Sequence, residues 1–141
     1  IYIALILLFC ATSTLNTKNN LRQKIITVSK KYIGTNYKYG GNTPKGFDCS
    51  GFTQYIYKQI GIQLPHNAAL QYRRGSMISL NKALPGDLIF FKINFKTISH
   101  TGIYLGNNQF IHSPRTGAKV RIESLRIPYW KNRYAGIKKI L

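Results

Sequence analysis

Asp48-Cys49-Ser50-Gly51 and two later histidines, His100 and His112, are the residues whose types and spacing could do chemistry here. A thiol attacks as its thiolate, and an imidazole can take the proton and hand it on. Cys49 follows a loop dense in Gly and Pro, YKYGGNTPKGF over 37–47, and falls in the first turn of a predicted helix. There the orphan backbone N–H groups and the positive end of the helix dipole favour thiolate over thiol. The same N–H groups can receive a developing oxyanion. Asp48 opposes the thiolate by its charge, yet as an N-cap it orders the turn. A lone cysteine at a helix start is usually inert filler, and a lone strand histidine a satisfied polar residue. Composition and spacing leave the chemical and structural readings about level.

Whether these groups can meet depends on the elements that carry them. Leu21, Ile25, Val28 and Tyr32 fall at helical spacing and Gly34 is a stop, which predicts a helix over about 20–33. Asp48 caps a second helix with apolar face Phe52, Tyr55, Ile56 and Ile60, ended by Gly61. A short helical segment around Asn67–Arg74 follows Pro65. From Leu84 onward the pattern turns to strands: 88–92, 100–106, 109–113 and 118–123, with Pro128-Tyr129-Trp130 interrupting and 136–141 as a closing edge strand. Helices first and strands later predict an α+β fold, helices packed on one face of an antiparallel sheet.

Hairpin arithmetic tests the two histidines. With a strict two-residue Asn107-Asn108 loop, Gly106 pairs with Gln109 and His112 falls opposite Ile103, which puts His100 on the other face. With Gly106-Asn107-Asn108 as the loop, His112 falls opposite Gly102 and becomes the diagonal neighbour of His100 on one face. A Cys-His-His site therefore requires the longer loop or an equivalent bulge.

The chain has 141 residues, one domain's worth, and 44% hydrophobic residues, enough for a continuous core. It carries 21 Lys and Arg against Asp48, Asp87 and Glu123, a formal +18, so its surface seeks polyanions. Three acids are too few for a carboxylate-rich metal site or a paired-carboxylate glycosidase. Two cysteines, Cys10 and Cys49, are too few for a disulfide framework or a structural zinc. Residues 1–11, IYIALILLFCA, form an uncharged apolar run that fits the core of a signal peptide. Two exits fit: a lipoprotein-like box, Leu7-Leu8-Phe9-Cys10, with Cys10 lipidated, or ordinary cleavage near Ala11, Thr12 and Ser13. Residues 1–13 thus read as a leader, 14–20 as a polar tether and 21–141 as the domain, exported to the periplasm or cell envelope. After cleavage Cys49 has no cysteine to pair with and stands out as a reactive thiol.

YKYGG…P…DCSGF, then LP…LQ, LPGDLIFF and ISHTGIYLGNNQFIHS, in this order, resemble the NlpC/p60 family of cell-wall cysteine peptidases from about residue 21 to the C-terminus. Within it the chain is most similar to the small lipoprotein-type NlpC and Spr murein endopeptidases, which share a PYWKxRY-like segment, here Pro128–Tyr134. The resemblance implies a papain-like α+β core, with Cys49 as nucleophile, His100 as general base and acid, and His112 orienting His100. It implies Tyr37 as a residue shaping the oxyanion region, Asp48 and Ser50 as lining of the substrate groove, and no metal or cofactor. His66 stands where related members often have Arg, while Gln71 keeps its place. The implied substrates are peptidoglycan stem peptides. The Spr-like group implies the D-alanyl–meso-diaminopimelate cross-link, the wider family the γ-D-glutamyl–diaminopimelate bond.

Two rivals come from other classes. A basic nucleic-acid or membrane-surface binder would account for the charge, but the leader points away from cytoplasmic nucleic acid and no recognition motif occurs. Contact with membrane is expected only through a lipid at Cys10. A non-catalytic wall-binding scaffold is the better rival, although all three triad positions are filled. The charge is expected to draw the protein to anionic envelope polymers.

Overall fold

The structure, a computed structural model, describes residues 2–141. Helix α1 spans Tyr2–Lys31. The segment expected as a tether, 14–20, is helical and continuous with the helix expected over about 20–33. Residues 7–20 are exposed, and contact with the body begins where Arg22, Ile25 and Ser29 present one buried face. Gly34, at φ +91°, turns the chain away after the helix. Among the described residues no helix is long and apolar enough to cross a membrane.

The loop before Cys49 folds as a small hairpin, β1 (Asn42–Thr43) against β2 (Gly46–Phe47), finer structure than its Gly and Pro content predicted. Helix α2 (Cys49–Lys58) buries Phe52, Ile56 and Tyr57, and α3 (Ala68–Gln71) is capped by the Asn67 side chain, 2.9 Å from the Leu70 N–H. Then follow β3 (Ser76–Ile78), β4 (Leu88–Phe91), β5 (His100–Gly106), β6 (Gln109–His112), β7 (Arg121–Ser124), α4 (Pro128–Arg133) and β8 (Tyr134–Lys139). The strands from β3 on form one sheet in the order β3-β8-β4-β5-β6-β7, each pair antiparallel. The expected closing edge strand is therefore corrected: β8 is internal, and the edge belongs to β3. Three largely exposed residues, Ser76-Met77-Ile78, give too short a run for alternation to mark a strand.

One face of the sheet, carrying Leu88, Phe90, Ile103 and Ile111, packs on Ile25 of α1 and on Phe52, Ile56 and Tyr57 of α2. Fully burying a ring such as Phe52 or Phe90 contributes roughly 1.5–3 kcal/mol, which holds the Cys49 helix on the sheet. The other face, with Ile89, Phe91, Tyr104 and Phe110, is covered by Leu125 and Trp130. The fold is α+β as expected, with a second covered face supplied by a helix too short to show periodicity. A buried ion pair, Arg22 Nη1 to Asp87 Oδ1 at 2.7 Å, ties α1 to the turn before β4. The second Asp87 oxygen accepts the Leu84 N–H at 2.8 Å.

Candidate active site

Cys49 rides on a helix start that is fixed from three sides. Asp48 caps α2, its Oδ1 accepting the Gly51 N–H at 2.7 Å. Gly51 must lack a side chain, because a Cβ there would lie 1.9 Å from the Gly41 carbonyl oxygen. That same oxygen accepts the Asp48 N–H at 2.9 Å, so the 37–47 loop is stitched to the turn. Buried Gln71 donates to the carbonyls of Ser50 (3.0 Å) and Pro65 (2.8 Å) and accepts from Thr53 Oγ1 (2.7 Å). Held this way, the Cys49 thiol points to the Ser99 carbonyl at 3.9 Å, at the residue preceding His100. The helix packs on one face of the sheet, and its N-terminus meets the strand end from which His100 projects to the other.

The histidine hairpin takes the bulged alternative. Asn107 (φ 51°) and Asn108 (φ 58°) form a two-residue turn with Gly106 opposite Gln109. The register then shifts at Leu105, so that Tyr104 faces Phe110 and Ile103 faces Ile111. His112 thus falls opposite Gly102, and His100 is its diagonal neighbour. Gly102 makes room: a Cβ there would lie 3.0 Å from His112 Cβ and 2.8 Å from the Ile111 carbonyl oxygen. His100 Nε2 and His112 Nδ1 are 2.7 Å apart.

One residue with no role in the sequence reading joins them. Across β6 and β7, His112 faces Arg121 and Phe110 faces Glu123, so Glu123 lies on the next diagonal of the same face. His112 Nε2 and Glu123 Oε2 are 2.5 Å apart, with Arg121 Nε 3.3 Å from the same oxygen. Trp130 stacks on His100 (centroids 5.3 Å, 26°) and meets His112 edge-on (4.9 Å, 86°). Continuing the register arithmetic through one more hairpin would have found Glu123, one of only three acids in the chain.

Burial and the helix N-terminus act in opposite directions on Cys49. Burial pushes the Cys49 thiol up to about 11, and the Asp48 charge adds to it, while N–H groups of Thr101, Ser50 and Cys49 itself pull the other way. Desolvation thus favours the thiol, against the pull of the helix N-terminus towards thiolate. Burial also holds His100 well below its ordinary value, as does the nearby His112, with Glu123 opposing. His112 is lowered by burial against the hydrogen bond and charge of Glu123. Burial acts to raise the Glu123 carboxyl, but the hydrogen bond from His112 and the charge of Arg121 overrule it, leaving about 2. These directions favour a neutral thiol, two neutral imidazoles and a carboxylate at rest.

Cys49 opens into a groove of about 620 Å³ whose walls include Asp48, Ser50, His66, Ile98 and Ser99. Asp48 and Ser50 thus line it, Ser50 Oγ lying 3.5 Å from Asp48 Oδ1. Tyr37 is half-buried nearby: burial raises its phenol, and the charges of Cys49 and Asp48 push it the same way. His66 Nε2 lies 2.8 Å from Asp48 Oδ1, so an imidazole holds the cap carboxylate at the groove wall. Among the described residues no cluster of three or more His, Cys, Asp or Glu side chains could hold a metal ion.

A cysteine at a helix N-terminus, set against the end of an antiparallel sheet that carries a bonded histidine pair, defines a papain-like α+β domain. The NlpC/P60 family profile matches residues 34–139, and the chain belongs to that family. It is 41% identical over 128 residues to the probable endopeptidase YafL of Escherichia coli K12, covering 87% of this chain and 51% of that one. It is 38% identical over 123 residues to the murein DD-endopeptidase MepS/murein LD-carboxypeptidase of the same strain, covering 86% of this chain and 64% of that one. An NlpC/P60 family protein from Bacillus cereus superposes with a TM-score of 0.81 at 36% identity, over 85% of this chain and 40% of that one. The chain spans about half the length of the first of these relatives.

Proposed function

We propose that this chain is a peptidoglycan-hydrolysing cysteine endopeptidase that cuts the D-alanyl–meso-diaminopimelate cross-link. The observation that carries the reading is the 2.7 Å His100–His112 bond behind a thiol at the mouth of a groove. The bond chosen follows the likeness to MepS, whose name includes murein DD-endopeptidase.

The reaction begins from the neutral pair. As the Cys49 sulfur attacks the peptide carbonyl, His100 takes the thiol proton, so thiolate forms only along the reaction path. Backbone N–H groups at the start of α2, with Tyr37 beside them, support the oxyanion. His100 then gives the proton to the leaving amine and later draws one from water to release the acyl enzyme. His112 holds His100 in orientation. Asp48 and Ser50 form the groove wall against the stem peptide.

Residues 1–13, with the apolar run 1–11, serve as a leader that exports the chain to the envelope, with residues 14–20 spacing the domain at 21–141 from a membrane if Cys10 is lipidated. The +18 charge draws it to anionic envelope polymers, an attraction that weakens with salt. The test is a digest of diaminopimelate-type muropeptides, monomeric and cross-linked, by the full chain and by Cys49→Ala, read by mass spectrometry. Dimers falling to intact tetrapeptide monomers support the cross-link. Loss of the diaminopimelate end from single stems would instead assign the γ-D-glutamyl bond. No cleavage, with sacculus binding equal in the two proteins, would make the chain a wall-binding scaffold.

A further inference from the structure

We infer that Glu123 is a positioning residue that sets the tautomers of both histidines, so that His100 presents an unprotonated Nδ1 to the Cys49 thiol. The inference rests on the proposed Cys-His-His mechanism and extends it by one member.

The argument is donor-acceptor accounting along three strands. An ionised carboxylate only accepts hydrogen bonds, and a neutral imidazole has one donor nitrogen and one acceptor. Glu123 Oε2 lies 2.5 Å from His112 Nε2, so the His112 proton sits on Nε2 and its Nδ1 is an acceptor. The His100–His112 bond at 2.7 Å then takes its proton from His100 Nε2. His100 is left with its lone pair on Nδ1, the form that can accept a proton from sulfur. When the thiol proton moves, the S–H bond breaks and an N–H bond forms at Nδ1. His100 becomes an imidazolium whose Nε2–H already points along a bonded path to a negative charge. With no carboxylate at 123, His112 is free to carry its proton on Nδ1 and donate to His100 Nε2. That arrangement puts the His100 proton on Nδ1, where it blocks transfer from Cys49.

The surroundings are built to keep Glu123 charged and aimed. Arg121 Nε is 3.3 Å from Oε2, and the carboxyl is held down at about 2. His112 has no exposed surface in the intact chain, and Glu123 is the carboxylate that meets its Nε2.

The test has a readout that needs neither substrate nor variant. In 15N NMR of the full chain near neutral pH, both histidines should be neutral with Nε2 protonated and Nδ1 bare. A proton on Nδ1 of either ring overturns the inference. Kinetics supply the second arm: Glu123→Leu, which removes the acceptor, should lower kcat by about 10- to 1,000-fold with KM changed less than about threefold, and Glu123→Gln, whose amide oxygen can still accept from His112 Nε2, should recover part of the loss. A Glu123→Leu enzyme with wild-type kcat overturns the positioning role. A chain with the expected tautomers that cleaves no muropeptide overturns the proposed function and leaves the tautomer assignment standing.

Discussion

His100 and His112 meet at 2.7 Å because Leu105, which belongs to neither of their pairings, is left unpaired as a bulge in β5 between Tyr104 and Gly106. A bulge increases local twist and shifts everything beyond it by one position. Here it turns a hairpin that would separate the imidazoles onto opposite faces into one that joins them.

Deleting Leu105 should leave the pair intact. Tyr104–Phe110 and Gly106–Gln109 would then be consecutive pairs in a regular two-residue hairpin, with His112 still opposite Gly102. Muropeptide cleavage by the deletion variant is expected within about tenfold of wild type. A loss as large as that of His112→Ala would show that the bulge does more than set register.

Thiol chemistry should report the resting protonation state. With Cys49 raised to about 11, alkylation by iodoacetamide should climb about tenfold per unit from about pH 7 to about pH 10 without a plateau. Comparison with Cys49→Ala isolates this thiol from Cys10. A rate already level near pH 7 would mean a preformed thiolate–imidazolium pair.

Acid should loosen the fold. Buried His100 and His112 resist protonation, whereas the unfolded chain takes up protons as pH falls through about 6.5, so their contribution is whole above that value and declines below it. Glu123, at about 2 against an ordinary 4.5, contributes fully above about pH 4.5 and loses its share as pH falls towards 2. Both slopes have the same sign. The thermal midpoint should drop steadily between about pH 7 and about pH 4, and one unchanged over that range would contradict the burial of the pair.

Arg22→Ala should cost about 3–5 kcal/mol in denaturant unfolding, because it strands the Asp87 carboxylate, whose side chain is 1% exposed. Removing residues 1–20 should cost far less, since residues 7–20 are exposed and partial cover begins only at Leu21 in the intact chain. A large loss from the truncation would place the start of the domain earlier than residue 21.

The parts of the fold legible in the sequence are those where one local pattern dominates. Asp48 before an apolar helical stripe predicted a capped α2, and the alternation around 100–112 predicted the hairpin and, for both histidines to share a face, a three-residue loop or an equivalent bulge. Leu105 itself was not legible, because nothing in Leu-Gly-Asn-Asn says which residue will be left unpaired. The internal place of β8 escaped because its partner β3 is three residues long. The protonation state of Cys49 escaped because helix position is local, whereas burial is contributed by loops and strands far along the chain. Glu123 escaped for a related reason: its role arises only when β7 is laid in register beside β6.

Asp48, Asp87 and Glu123 are each engaged by a basic partner, His66, Arg22, and His112 with Arg121. They are all the Asp and Glu residues the chain has. The molecule therefore turns a lysine- and arginine-only coat to its neighbours, with no side-chain carboxylate left over to dock against the lysines of another copy. Two such molecules meet as like-charged colloids. Crowded onto a negatively charged surface, they would spread apart instead of clustering, each copy working its own patch.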